Sequence, residues 1–480
     1  MISRAAFALT LLTGPAIAST PVSLTKATCP YAKNDVPKDY EATCFQMAWT
    51  EDAITYRTQV ATVVYKDPPV PLEPIIYIPG GPGDAPVNKG GDIASILALF
   101  PQRSLVTLNP RGVKGAAPRP TCTFEPDFWD EDIAPEREEE ITAECRASID
   151  LDLEKLDAPY LAKDIDNLIR ALEIERAGIF AVSYGTESAL HLLSSHPNWL
   201  GPVILDSVSM PGALGMRERL AARDRFLGVI DRLCFAEKQC QTEVTDKYDD
   251  LLAWSAQFNE TPLNVKLGPP KKPWSLDQQQ MLDFLSSLAA YPDGAGYGPQ
   301  FIEAFEESRK ATGAWVASEL ENGIKYALKN FPLLYGAFSD SSERDQEGVK
   351  AGSTRYPFDL EEQQALIRLF EVWNHSERTE QRFINDDTVQ QPAGVRVLIL
   401  SGGVDSLTPL DWAQELDQRF SGTTHFVFPE LAHAVAFGTD ADVTDQSVAK
   451  QLRCGPTVVR AFISEKSYGN CGQFLRKKKP

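Results

Sequence analysis

The sequence predicts an α/β protein with a mostly parallel sheet flanked by helices and a large, mainly helical insertion. Apolar runs of strand length alternate with helical patterns between residues 60 and 208, which is typical of parallel strands joined by crossover helices. Strand signals then fade from about residue 209 to 390, where amphipathic helical stretches dominate. The alternation returns at Val395–Leu400, so the insertion interrupts a single sheet.

Turn residues and apolar spacing mark the individual elements. Short apolar runs predict strands at Val60–Val64, Pro74–Ile78, Leu105–Leu108, Gly178–Val182 and Pro202–Leu205. Residues 160–174 carry apolar side chains at helical spacing, and a second helix covers Glu187–Leu193. After the insertion, Val395–Leu400 precedes a helix from about Pro409 and a strand at His425–Phe428.

The insertion is placed where a cap over an active site would lie. Its clearest helical stretches are Arg217–Leu233, Gln278–Ala290 and Phe301–Leu328. We therefore expect a signal peptide at 1–18, the first part of a core at 19–208, a helical cap at 209–390 and the second part of the core at 391–480. An unrelated second domain in place of the cap is the alternative.

The N-terminus predicts export. Arg4 precedes the short apolar run Ala5–Leu12, and Ala16-Ile17-Ala18 provides the small-x-small pattern of a signal peptidase site. The run is far shorter than the roughly 20 residues that span a bilayer, so a cleaved signal is favoured over an uncleaved anchor. No later stretch is long enough to cross a membrane. We expect a secreted or periplasmic protein without a membrane span.

Charge and cysteine content narrow the function classes further. The net charge of −20 argues against nucleic-acid binding, because a polyanion would be repelled. Eight cysteines suit an oxidising compartment. None forms Cys-x-x-Cys and no histidine lies at metal-ligand spacing, so we expect disulfides and neither a metal nor another cofactor. Spacing alone leaves 105 connectivities open.

A candidate nucleophile lies between a predicted buried strand and a helix. Ser183, in Ala181-Val182-Ser183-Tyr184-Gly185, occupies the tight strand-to-helix turn that exposes a serine hydroxyl beside a helix N-terminus. Gly185 provides the small residue that this turn needs, and Ala181 stands where the motif usually has glycine.

A serine nucleophile needs a base, and the sequence offers five histidines. In this kind of fold the order is serine, acid, histidine, which leaves His425 and His433. His425 begins a predicted strand, where its side chain would pack against the sheet. His433 lies in the loop after that strand, so we select His433.

The acid is expected at the end of an earlier strand. Asp405 follows Val395–Leu400 in Ser401-Gly402-Gly403-Val404-Asp405, where a carboxylate can orient the imidazole. Asp206 competes, because it follows the strand Pro202–Leu205. We favour Asp405 and expect Asp206 to bond to nearby backbone.

Acyl transfer also needs donors for the oxyanion. The backbone N–H of Tyr184 is one candidate, because it directly follows the serine. Gly80 or Gly81 of Pro79-Gly80-Gly81-Pro82-Gly83 is the other, because bare glycine backbone allows close approach of a substrate.

These segments together resemble the tripeptidyl and prolyl aminopeptidase-like serine peptidases of the α/β-hydrolase fold, over most of the chain outside the cap. The matching segments are Pro79–Gly83, Asn109–Gly112 with Cys122, Ser183–Thr186, Leu205-Asp206, Asp405 with Thr408-Pro409, His433, and the C-terminal Cys454 and Cys471. The resemblance implies a serine peptidase with the triad Ser183, Asp405 and His433, acting on a peptide with a free N-terminus. It also implies a carboxylate that meets the substrate ammonium, for which Glu303, Glu306 and Glu307 are cap examples.

Three departures weaken the transfer of substrate preference. Asn109 replaces an aspartate, Ala181 replaces a glycine, and Lys114-Gly115-Ala116 replaces a Gly-x-Ser segment. The alternatives are an esterase or amidase on a non-peptide acyl group and an inactive binding protein of the same fold.

For the cysteines we expect pairing between sequence neighbours. The expected pairs are Cys29–Cys44, Cys122–Cys145, Cys234–Cys240 and Cys454–Cys471.

Overall fold

The structure is a computed structural model. It describes residues 22–67, 70–124, 134–210, 216–236, 249–268, 271–330, 332–333, 391–439, 443 and 445–476. The predicted signal peptide at 1–18 and much of the predicted cap after residue 333 lie outside the described residues.

Ten of the described strands form one sheet. They are β1 (Ser23–Ala27), β2 (Tyr40–Glu51), β3 (Ile54–Tyr65), β4 (Ile75–Ile78), β5 (Leu105–Leu108), β6 (Ala116–Ala117), β7 (Ala177–Val182), β8 (Leu200–Asp206), β11 (Val397–Gly402) and β12 (Thr423–Phe428), with β9 and β10 described below. The order is β1-β2-β3-β5-β4-β7-β8-β11-β12, and β6 pairs with β3. From β5 to β12 every pairing is parallel, so the predicted mostly parallel sheet is confirmed.

The N-terminal edge of the sheet is antiparallel. β2 and β3 form a hairpin of twelve residue pairs. Only Val60–Val64, within β3, was predicted as strand. Asp52 and Ala53 form its turn, with φ angles of 47° and 65°. Turns with two positive φ angles usually carry Asn-Gly or Asp-Gly, so Asp-Ala gives a weak hairpin signal.

Helices cover both faces of the sheet. The described helices are α1 (Gly90–Leu99), α2 (Pro135–Ser148), α3 (Ala158–Ala171), α4 (Gly185–Ser195), α5 (Met216–Ala236), α6 (Asp249–Ser255), α7 (Gln257–Glu260), α8 (Gln278–Ser287), α9 (Gly294–Glu307), α10 (Arg309–Lys329), α11 (Leu410–Arg419) and α12 (Gln446–Ile463). Buried side chains of α3, α4 and α11 pack with one face of the sheet. Those of α1 and α12 pack with the other face, in a core that continues into α5, α8 and α9.

The described part of the cap contains α5 to α10 and a small hairpin. β9 (Leu263–Leu267) pairs antiparallel with β10 (Lys272–Leu276) as a separate sheet. The mainly helical cap was predicted without this hairpin. Leu263, Val265 and Leu267 alternate with exposed residues, a two-residue period too short to stand out between helices.

Three of the expected cysteine pairs lie at disulfide distance. The Cα atoms of Cys29–Cys44, Cys122–Cys145 and Cys454–Cys471 are 5.1, 5.3 and 5.4 Å apart. Cys234 is also disulfide-bonded, but Cys240 lies outside the described residues, so Cys234–Cys240 stays a prediction.

Within the described ranges, no helix combines the length and the apolar character that crossing a membrane requires.

Candidate active site

Ser183 occupies the turn between β7 and α4 with a left-handed backbone. Its φ of +55° is strained for a residue with a side chain, and such strain is typical of functional turns. A Cβ at Gly185 would collide with the carbonyl oxygen of Pro79, so only glycine lets α4 pack this closely on the end of β4. Ala181 is fully buried in β7. The turn therefore presents Ser183 at the carboxyl edge of the parallel strands.

Asp405 and His433 form a hydrogen-bonded pair at the same edge. His433 Nδ1 donates to Asp405 Oδ2 at 2.7 Å, because an ionised carboxylate only accepts. Asp405 Oδ1 accepts from the backbone N–H groups of Leu407 and Thr408, both at 2.9 Å. The Thr408 hydroxyl donates to Oδ2 at 2.7 Å. These bonds fix the orientation of the carboxylate and, through Nδ1, that of the His433 imidazole.

The two groups shift each other's pKa in opposite directions. Burial opposes the ionisation of Asp405, but the charge and hydrogen bond of His433, together with Thr408, outweigh it and lower the pKa of Asp405. Burial likewise opposes the charge on His433, but Asp405, with a smaller contribution from Asp206, raises the pKa of His433. The pair therefore favours a charged imidazolium at His433 beside an ionised Asp405.

Asp206 links the serine turn to the histidine loop. Its carboxylate accepts from the backbone N–H groups of Val435 at 3.1 Å and Ala436 at 2.9 Å. Its backbone oxygen accepts from the N–H of Ser183 at 2.9 Å. Burial raises the pKa of Asp206 to about 7, although both backbone donors and His433 lower it. Asp206 thus bonds to backbone, as expected, but it also anchors the chain just after His433, a role that no local sequence pattern indicates.

The glycine loop between β4 and α1 touches Ser183. A Cβ at Gly80 would lie 3.0 Å from Ser183 Cβ and 3.6 Å from its Oγ. Gly81 has a φ of +117°, which only glycine adopts without strain. Tyr184 is the N-cap of α4, so its backbone N–H lies at the positive end of a helix. The three proposed oxyanion residues are therefore brought together beside the serine.

Cap residues contact the loop from the other side. The Tyr326 hydroxyl donates to the carbonyl oxygen of Pro82 at 3.1 Å. A Cβ at Gly83 would lie 2.6 Å from Cγ of the buried Asn330. Neither cap residue could be predicted from the sequence, because their contacts span about 250 positions of the chain.

The groups around Asn109 require a side chain that both accepts and donates hydrogen bonds, which an aspartate cannot do. Its Oδ1 accepts from Val87 N at 2.9 Å, while its Nδ2 donates to Asn88 Oδ1 at 2.7 Å and to Lys114 O at 2.9 Å. A carboxylate could not donate those last two bonds. The replacement of the family's usual aspartate by Asn109 is therefore explained by the local hydrogen bonds. Next to it, Arg111 forms a buried ion pair with Asp164 at 2.6 Å.

A small cavity adjoins the oxyanion residues. Its volume is about 10 Å³, room for about one water molecule, and Pro82, Tyr184 and Asp157 contribute to its wall. Leu153, Leu156 and Leu333 also line it. Asp157 is only 6% exposed, so a largely buried carboxylate lies in this wall beside apolar side chains.

The competing histidine lies elsewhere. His425 is buried within β12, and its Nε2 is 3.0 Å from the hydroxyl of Ser401 on β11. Its Nδ1 is 3.5 Å from Asp417 Oδ2 on α11. In the described parts of the chain, His, Cys, Asp and Glu side chains form no group of three that could hold a metal ion.

Comparison with known proteins identifies the fold family of the chain. A family model described as alpha/beta hydrolase fold matches residues 73–438. Sequence comparison with curated proteins finds no significant match. Similar solved structures include a proline iminopeptidase from Mycobacterium smegmatis, with 14% identity, a TM-score of 0.35 and coverage of 85% of this chain and 95% of that one.

Two further structures illustrate the range of similar proteins. A serine hydrolase from the polyaromatic hydrocarbon-degrading bacterium Cycloclasticus zankles is 12% identical, with a TM-score of 0.36 and coverage of 95% and 99%. The 2-hydroxy-6-oxo-6-phenylhexa-2,4-dienoate hydrolase from Rhodococcus sp. strain RHA1 is 14% identical, with a TM-score of 0.34 and coverage of 80% and 90%. Such low similarity carries no information about substrate. The family match covers well over half of the sequence, and the chain therefore belongs to the alpha/beta hydrolase fold family.

Proposed function

We propose that the protein is a serine hydrolase that works through an acyl-enzyme, with Ser183 as nucleophile, His433 as base and Asp405 as the orienting acid. The observation that carries this proposal is the 2.7 Å bond between Asp405 and His433 at the sheet edge that also presents Ser183. Asp206 supports it, because hydrogen bonds from the serine turn and from the histidine loop converge on this one residue.

The reaction takes place in two half-reactions. Ser183 Oγ bonds to the substrate carbonyl carbon while His433 Nε2 takes the hydroxyl proton, and backbone N–H groups of Tyr184 and Gly80 or Gly81 hold the oxyanion. The bond to the leaving group then breaks, and His433 returns the proton to that group. Water attacks the acyl-enzyme in the same manner and regenerates Ser183.

For the substrate, we favour a peptide with a free N-terminus, from which one to three residues are released. This rests on the family resemblance and on how the cap meets the site. Backbone N–H groups of Ala432 and His433 each donate at 3.1 Å to carbonyl oxygens of Pro292 and Ala289 in the turn between α8 and α9. The cap therefore covers the histidine loop directly, which supports a cleft closed at one end.

A substrate ammonium needs a carboxylate near the closed end. Glu306 and Glu307 are exposed on α9, and Glu306 accepts a bond from Trp254 at 2.8 Å, so they fit a solvated helix face. Asp157 is the better candidate among the described residues, because it shares a cavity with Tyr184 and Pro82. A carboxylate can accept about four hydrogen bonds, so it can receive an ammonium besides its partners in the protein.

The substrate preference is tested with matched peptide amides that carry either a free or an acetylated N-terminus. Acetylation removes the charge and adds bulk, so kcat/KM should fall by roughly 100-fold or more, since charge pairing in a partly dry site is strong. Asp157→Asn should remove most of that difference, whereas the exposed Glu307→Gln should not. Equal cleavage of blocked and free peptides, or turnover of simple esters alone, would contradict the aminopeptidase proposal and leave the serine hydrolase intact.

A further inference from the structure

We infer that Tyr326, in the last turn of the cap helix α10, positions the oxyanion loop for catalysis by holding the carbonyl group of Pro82. Here the oxyanion loop means Pro79–Gly83. The inference rests on the proposed acyl transfer at Ser183, but not on a peptide substrate. It makes the cap part of the machinery that stabilises the transition state as well as a wall of the cleft.

The loop is held between the nucleophile and α10. Gly80 contacts Ser183, with only 3.0 Å between the position of a Cβ there and Ser183 Cβ. The corresponding position at Gly81 is 3.4 Å from the Tyr326 hydroxyl, and that at Gly83 is 2.6 Å from Asn330 Cγ. A movement of α10 would therefore be transmitted to backbone that touches the nucleophile.

The bond from Tyr326 fixes a peptide plane in the loop. The Pro82 carbonyl and the Gly83 N–H belong to one rigid plane, so holding the oxygen at 3.1 Å sets the orientation of both. Pro82 has no N–H of its own, and Gly81 and Gly83 on either side have φ angles of +117° and +118°. Because glycine backbone is intrinsically free, this loop depends on outside contacts to hold one conformation.

Tyr326 is itself firmly held. Asn330 Nδ2 donates to the backbone oxygen of Tyr326 at 3.1 Å, and Arg119 donates to Lys329 O at 3.2 Å. The second bond ties the end of α10 to the core. Burial of the hydroxyl and the charge of Asp84 raise the pKa of Tyr326, so the hydroxyl remains a donor at any working pH. Tyr326→Phe removes only the hydroxyl oxygen and keeps the ring, and the ring belongs to a residue that is 39% exposed as a whole, so little packing is lost.

The test is Tyr326→Phe, assayed on p-nitrophenyl acetate so that peptide preference plays no part. Loss of one oxyanion donor costs about 10²–10³ in kcat, and loss of a positioning bond should cost less, about 10-fold. We expect KM to stay within about twofold and the affinity for a boronic acid transition-state analogue to fall in parallel with kcat/KM. Tyr65→Phe removes a hydroxyl at the opposite edge of the sheet and should change nothing.

The readouts separate positioning from folding and from the proposed function. Wild-type kcat and analogue affinity in Tyr326→Phe would overturn the inference. So would a loss of kcat explained by a lower melting temperature and a smaller fraction of protein that a fluorophosphonate can label. Asn330→Ala, which loosens the packing on Gly83, should reproduce the kcat effect. A wild-type protein inert to both esters and fluorophosphonate would overturn the proposed function and this inference with it.

Discussion

The protein contains two sets of serine, histidine and aspartate, and they differ in where the backbone places them. The set that we propose to be catalytic, Ser183, Asp405 and His433, lies in turns that follow strands β7, β11 and β12. The buried set, Ser401, His425 and Asp417, lies inside β11, β12 and α11, with each residue at most 3% exposed.

The surroundings of the two sets explain their different roles. Ser183 has a strained φ of +55°, is partly exposed, and has glycine backbone within contact distance. The buried set lies between the sheet and a helix, and Arg476 Nη1 donates a hydrogen bond to Asp417 Oδ2 at 2.7 Å. The same three residue types therefore anchor the C-terminal segment in one place and, in our proposal, support chemistry in the other. The proposed triad differs from the buried set by its position at strand ends, next to backbone donors.

Replacing each histidine by alanine should give the largest difference between the two sets. His433→Ala should lower kcat by roughly 10⁶-fold, as loss of a triad member does in other serine hydrolases, with little change in melting temperature. His425→Ala should retain kcat in the folded protein but lower its stability, because it leaves a cavity and removes the partner of Ser401. Steady-state kinetics with thermal unfolding measures both. Loss of activity in His425→Ala with a fully active His433→Ala would reverse the assignment.

The two acids provide the next comparison. Asp405→Asn should cost about 10⁴ in kcat, because an amide no longer holds the imidazole in the required tautomer. Asp417→Asn should instead lower the free energy of unfolding by about 1–3 kcal/mol, because it weakens the buried bonds with Arg476 and Thr423. Urea unfolding and initial rates give the two quantities. An Asp405→Asn enzyme that kept its rate would point back to Asp206 as the acid.

The pH profile tests the environment of His433. The neutral imidazole must accept the serine proton, and the folded site raises the pKa of His433 above 6.5. Activity should therefore be present above that raised pKa and be lost as the pH falls through it, so the acid limb of kcat/KM lies above pH 6.5. A limb at or below pH 6.5 would show that Asp405 does not stabilise the charged form.

The smallest effect on activity is expected from the C-terminal disulfide. Cys454–Cys471 closes a loop with a sequence separation of 17, which predicts about 3 kcal/mol of stabilisation by chain entropy. The bridge ties α12 to the C-terminal segment that contains Arg476, beside the buried set. Replacing both cysteines by serine should lower the midpoint of urea unfolding without changing kcat. A changed kcat would mean that the buried set and the catalytic set are coupled.

Much of the site could be predicted because its residues follow strands. The apolar runs before Gly80, Ser183 and Asp405 have strand length, and parallel strands bring their carboxyl ends to one edge. The roles of Asp206 and Tyr326 could not be predicted, because each depends on a bond to a residue more than 200 positions away. The β9–β10 hairpin could not be predicted although its signal is local, because the alternating pattern of β9 is only five residues long.

We propose that Ser183, and not another serine, is the nucleophile. A fluorophosphonate probe followed by peptide mapping tests it directly on the folded wild-type protein. We expect a single adduct on Ser183, no adduct in a folded Ser183→Ala variant, and unchanged labelling in Ser401→Ala. An adduct on Ser401, or undiminished labelling of Ser183→Ala, would contradict the account.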